Sequence, residues 1–144
     1  MTEQRSASGP VILCVEDEVA NRMLLRAVLS RAHDRELAGA TLFEAATIAE
    51  ARAVLADTRV DVVLLDVRLP DGDGLTLGSE LRSRTEAERP IVVILSASVL
   101  PTEREHALAS EGDLFVGKPY RPAELLQTLA GVLRARSERQ GRSG

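Results

Sequence analysis

Five stretches of the chain are apolar with little or no polar interruption, and the segments between them carry apolar residues at helical spacing. The strand-like runs are Val11 to Val15, Ala40 to Ala45, Val62 to Asp66, Ile91 to Leu95 and Leu114 to Val116. Val62-Val63-Leu64-Leu65 lacks any alternation, which predicts a strand buried on both faces, as in a parallel sheet covered by helices. It stops on a carboxylate, Asp66.

The helical patterns place Leu24, Leu25, Val28 and Leu29 on one face, then Ile48, Ala51 and Leu55 after a Thr47-x-x-Glu50 capping box. Leu75, Leu77 and Leu81 follow a turn-rich loop from Val67 to Gly74. A sparse helix opens at Pro101 or Thr102, with Ala107 and Leu108 facing inward, and its thin apolar face predicts the loosest packing. Pro122 starts the last helix, in which Leu125, Leu126, Leu129, Val132 and Leu133 face inward and Arg134 and Arg136 suit the carboxyl end. Strands alternating with helices predict a doubly wound α/β domain with a parallel sheet and helices on both faces.

Length allows one domain: 144 residues bury a core without disulfides. Residues 1–10 read as a disordered lead-in, 11–135 as the folded domain and 136–144 as a flexible tail. The lead-in lacks the apolar segment of a secretory signal, and no run reaches membrane-spanning length, so a cytoplasmic protein is expected. Hydrophobic and charged fractions of 44% and 28%, with a mean hydropathy of -0.03, are those of a globular protein. A net charge of -4 and 2% aromatic residues give neither a basic field nor stacking platforms, which argues against direct nucleic-acid binding. The lone Cys14 lies in an apolar run and reads as an inert buried thiol. Among 18 basic residues only Lys118 is a lysine, a hint that this position needs a compact ammonium.

Chemistry gathers at the strand ends. Glu16 and Asp17 follow the first strand, Asp66 ends the third, Ser96 ends the fourth and Lys118 follows the fifth. In a parallel sheet these ends share one edge, where ligands bind. Three carboxylates brought together repel unless a hard cation joins them, and magnesium, or manganese, is the natural candidate. An aspartate there can act as a nucleophile towards phosphorus, with the ammonium of Lys118 and the hydroxyl of Ser96 receiving the phosphoryl oxygens. The small Ala97 would leave the approach open. Asp71-Gly72-Asp73-Gly74 fails as a calcium loop because Leu75 takes the next ligand position, and His33 and His106 have no partners at metal-binding spacing.

The motifs Val-Glu-Asp-Glu at 15 to 18, Leu-Leu-Asp-Val-Arg-Leu-Pro-Asp-Gly-Asp-Gly at 64 to 74, Leu-Ser-Ala at 95 to 97 and Lys-Pro at 118 and 119 resemble those of receiver domains of two-component response regulators. The resemblance spans Val11 to Leu133 and implies a flavodoxin-like sheet of order 2-1-3-4-5. It implies that Asp66 accepts a phosphoryl group from a histidine kinase or histidine phosphotransfer protein. It further implies magnesium on Glu16 or Asp17, on Asp66 and on the backbone carbonyl of Arg68, and phosphoryl binding by Ser96, Ala97 and Lys118. Phe115 stands where the family has an aromatic switch, and Arg68 and Ser98 flank the pocket as candidates for tuning or as plain solvent-exposed residues. Output through a downstream protein or a phosphorylation-dependent homodimer is expected, from a stand-alone receiver without turnover chemistry of its own. A phosphorelay intermediate and a constitutive interaction module are the alternatives.

Overall fold

A computed structural model describes residues 9–85, 89–96 and 113–143. Four β-strands and three helices lead in order to the last pair: β1 (Val11–Val15), α1 (Val19–Ser30), β2 (Thr41–Ala45), α2 (Ile48–Asp57), β3 (Val62–Asp66), α3 (Gly74–Arg82), β4 (Ile91–Ser96), then β5 (Leu114–Gly117) and α4 (Pro122–Ser143). A short 3-10 turn, Arg35–Leu37, joins α1 to β2. All five strands pair in parallel, in the order β2-β1-β3-β4-β5, as the motifs imply.

The unalternating runs are explained by burial on both sides. Leu13, Val15, Val63, Leu65, Val92 and Ile94 pack under α2 and α3, against Ile48, Ala51, Leu55, Leu77 and Leu81. Their neighbours Ile12, Cys14, Val62, Leu64, Val93 and Leu95 pack on the other face, against Leu25 of α1 and Leu125, Leu126 and Leu129 of α4. Apolar side chains therefore point both ways from each central strand, which a parallel sheet between helix layers requires.

Carboxylates fasten the sheet's amino edge. Asp61 accepts the Val11 amide at 2.7 Å, and Asp113 accepts the Val92 amide at 2.8 Å. At the opposite edge Thr47 caps α2 by accepting from the Glu50 amide at 3.0 Å, while Glu50 reaches back to the Ala46 amide at 2.7 Å. The capping box is thus formed, with the glutamate bonding one residue earlier than the usual partner.

Two expectations change. In α1 only Leu25 is buried; Leu24 is 49% exposed, because successive helical residues are turned about 100° apart and the sheet receives the Leu25 stripe. The loop after β3 contains a two-stranded antiparallel hairpin, Arg68–Leu69 with Gly72–Asp73. The last helix, α4, runs to Ser143. Arg134 pairs with Glu36 at 2.9 Å, and the Arg136 guanidinium donates to the carbonyls of Asp61 at 2.8 Å and Arg89 at 3.0 Å, which docks the helix as far as Arg136. Residues 1–8 of the lead-in, and the helix expected from Pro101 or Thr102 with His106, lie outside the described residues.

Candidate functional site

The carboxyl edge of the sheet brings together residues up to 102 positions apart in sequence. Glu16 leaves β1 with only 1% of its surface exposed, and its amide donates to the Ala45 carbonyl at 2.9 Å, which ties it to the end of β2. Asp66 is the last residue of β3 and is 7% exposed. Ser96 ends β4, nearly buried, and its carbonyl accepts the Lys118 amide at 2.8 Å just beyond β5. The Lys118–Pro119 peptide bond is cis.

Lys118 sits between two acids. Its Nζ is 2.8 Å from Glu16 Oε1 and 3.0 Å from Asp66 Oδ2. Burial pulls the ammonium down, but the hydrogen bonds and charges of both carboxylates outweigh it and hold Lys118 above its usual value. The two acids divide in response. Burial pushes Glu16 up, yet the Lys118 ammonium and the Glu18 amide, which donates at 3.2 Å, leave it below the ordinary glutamate value. Asp66 stays above the ordinary aspartate value, because burial and the charge of Glu16 outweigh what Lys118 gives back. Asp66 is thus the acid whose charge is less well met.

Asp17 is exposed, yet it can place a carboxylate oxygen with those of Glu16 and Asp66 so that all three lie within 4.8 Å of one another. Three hard oxygen donors at this separation, one of them open to solvent, fit a divalent cation that keeps several waters. Arg68 is solvent-exposed at its side chain, and its amide donates to Asp66 Oδ1 at 3.4 Å. Phe115 lies half-buried against the cluster under α2 and α3. Ala97 and Ser98 lie outside the described residues.

Several residues support this group without having been singled out from the sequence. The Asn21 side chain donates to Glu16 Oε1 at 3.3 Å and to Glu18 Oε1 at 2.8 Å. Arg22 donates to the Glu16 carbonyl at 2.7 Å while its Nε pairs with Glu44 at 3.3 Å. Their spacing from Glu16, five and six positions, falls outside the i,i+3 and i,i+4 pairs that mark helical neighbours, and Glu16 precedes the helix, so the sequence carries no signal for them. Tyr120 is half-buried beside the site, and burial, followed by the nearby acidic groups, pushes its hydroxyl up to about 12.

The loop from Asp66 to α3 needs glycine at two points, and Gly72 is one because its φ is +147°. Gly74 is buried, its amide donates to the Val67 carbonyl at 2.6 Å, and a β-carbon there would run into the Asp66 carbonyl oxygen. Asp73 caps α3 beside it, accepting the Leu75 amide at 2.9 Å.

A parallel sheet in this order with acids, a hydroxyl and a lysine at one edge defines a receiver-type α/β domain. The model of the response regulator receiver domain matches residues 12–130, and the chain belongs to that family. The transcriptional regulatory protein GltR of Pseudomonas aeruginosa is 34% identical over 139 residues, covering 96% of this chain and 55% of GltR. The KDP operon transcriptional regulatory protein KdpE of Escherichia coli is 34% identical over 126 residues, covering 88% and 52%. The chain spans about half the length of these curated relatives. Among solved structures, the receiver domain of sensor histidine kinase PA1611 from Pseudomonas aeruginosa, with a magnesium ion coordinated in its active-site cleft, superposes with a TM-score of 0.72 at 29% identity, over 87% of this chain and 98% of that one. A CheY-like receiver domain protein from Methanospirillum hungatei shares the fold, with a TM-score of 0.79 at 21% identity over 92% and 99% of the two chains. Among the described residues no helix is long and apolar enough to cross a membrane.

Proposed function

We propose that this receiver domain is a phosphorylation-dependent switch in which Asp66 takes a phosphoryl group from a phosphohistidine on a histidine kinase or phosphotransfer protein in the cytoplasm. The observation that carries the reading is the placing of Lys118 Nζ within hydrogen-bond distance of both Glu16 and Asp66, beside the Glu16, Asp17 and Asp66 carboxylates. An Asp66 carboxylate oxygen forms the new bond to phosphorus as the bond to the imidazole nitrogen breaks, and the imidazole leaves with the bonding pair. Lys118 is held where it can follow charge from the Asp66 carboxylate onto the phosphoryl oxygens, and the Ser96 hydroxyl is a second donor at the adjoining strand end.

Glu16 or Asp17, together with Asp66 and the Arg68 carbonyl, would hold magnesium, which supplies charge neutralisation between the acids and the phosphoryl oxygens. Added charge at Asp66 alters the contacts of Lys118 and Ser96, and with them Phe115 on β5, so that the surface offered to a downstream protein or a second copy changes. Phosphorylation and its hydrolysis are self-catalysed, with no other turnover. Incubation with acetyl phosphate and magnesium, followed by mass spectrometry, is expected to add one phosphoryl group at Asp66 and none in Asp66→Asn. A labelled site elsewhere, or no label under conditions that modify another receiver, would refute the assignment.

A further inference from the structure

The loop that carries the chain away from Asp66 is fastened at its far side to a different helix. Asp71 turns its carboxylate onto the amino end of α2, where Oδ1 accepts the Ile48 amide at 2.9 Å and Oδ2 the Ala49 amide at 3.0 Å. These amides are among the first-turn donors that a helix cannot satisfy internally. Thr47, the helix's own cap, takes the Glu50 amide instead. Capping is therefore divided between a local hydroxyl and a carboxylate 23 residues further along the chain. The Ile48 amide is the main cause holding the Asp71 carboxyl below its usual range, so the carboxylate is ionised and engaged at neutral pH.

The near side of the same loop is fixed on Asp66. The Arg68 amide reaches Asp66 Oδ1 at 3.4 Å, and Gly74 closes the loop on the Val67 carbonyl at 2.6 Å. The Arg68–Leu69 and Gly72–Asp73 hairpin lies between these anchors, with Gly72 over the Ile48 side chain. The segment is a strap with one end at the site and the other on α2. Without the Asp71 carboxylate the strap would keep its Asp66 side and the packing of Leu69 and Gly72 against the core, and would lose these two hydrogen bonds to α2.

We propose that Asp71 is a positioning residue for phosphorylation of Asp66: by clamping the strap to α2 it fixes the backbone beside Asp66 in the shape that the cation and the phosphoryl group require. This deepens the reading of Asp66 as phosphoacceptor and rests on it. The structure supplies its own control in Thr47→Ala, which weakens the same helix end without touching the strap.

In calorimetric titrations of the full chain, Asp71→Ala is expected to weaken magnesium binding about 10-fold, the usual size of a supporting-residue effect. Labelling of Asp66 by acetyl phosphate slows with it, whereas Thr47→Ala changes neither. Asp71→Asn, which keeps an oxygen for one of the two amides, falls between. In the metal-free protein, hydrogen exchange at the Gly74 amide quickens in Asp71→Ala and not in Thr47→Ala. Equal losses in Asp71→Ala and Thr47→Ala would reduce Asp71 to a stabilising role and overturn the inference. Equal losses in Asp71→Ala and Asp71→Asn would do the same, by assigning the effect to charge alone. A wild-type chain that neither binds magnesium nor is labelled would sink both readings; a labelled wild type with an unchanged Asp71→Ala would sink only this one.

Discussion

Lys118 reaches across β4 to place its Nζ 3.0 Å from Asp66 Oδ2, although the two residues are 52 positions apart. The ammonium is the counter-charge that lets Asp66 and Glu16 share one nearly buried edge. Replacing Lys118 by alanine removes that partner and leaves two carboxylates facing each other. In metal-free buffer the variant should lose about 3 kcal/mol of stability in urea unfolding. Magnesium should then raise its melting temperature more than it raises that of the wild type, because the cation takes over the neutralisation. Labelling of Asp66 should slow in Lys118→Ala, and Lys118→Arg should not restore it, since a planar fork does not fit where a compact ammonium bridges two carboxylates.

Gly74→Ala tests the close approach of the strap to the phosphoacceptor. The added methyl meets the Asp66 carbonyl oxygen, which is backbone and cannot rotate away. A loss of about 2–3 kcal/mol is expected by chemical denaturation, together with slower labelling of Asp66. Gly131→Ala is the control, since a β-carbon there meets nothing within 4 Å.

Arg136→Ala tests why α4 runs past its apolar stripe. The guanidinium joins the carbonyls of Asp61 and Arg89, on the approaches to β3 and β4. Its removal should cost about 2 kcal/mol and raise hydrogen exchange in the last turns of α4, while leaving Asp66 labelling intact.

Alkaline pH should unfold the protein earlier than its carboxylates would suggest. Burial pushes the Cys14 thiol from 9.0 up to about 12, and the Tyr120 hydroxyl from 10.0 up to about 12. A group whose value is raised in the folded state binds its proton more tightly there, so its contribution is whole below the unfolded value and fades as pH climbs towards the folded one. Stability measured by urea titration should therefore fall from about pH 9 to pH 12. Cys14→Ala should flatten the part that begins near pH 9, and the Cys14 thiol should resist thiol reagents at pH 8 until the chain is unfolded.

The sequence by itself determined the strands, the layers and the chemical ends. Runs such as Val62 to Leu65 are legible because burial on both faces leaves no room for a polar residue; Asp66 and Ser96 are legible because each follows such a run directly, and Lys118 because it is the one lysine, set just past the last strand. Parallel strands then bring those ends to one edge without further information. Tertiary structure alone decided who bonds whom across that edge. Glu16 rather than Asp17 became the buried partner of Lys118, Asp71 became a cap for α2, and Arg136 joined the carbonyls of Asp61 and Arg89. None of these has a local signature, because a carboxylate or guanidinium with free rotamers takes whichever unsatisfied donor or acceptor the packed backbone brings within about 3 Å. Hydrophobic period is a property of neighbours in the chain, whereas hydrogen-bond partners belong to neighbours in space.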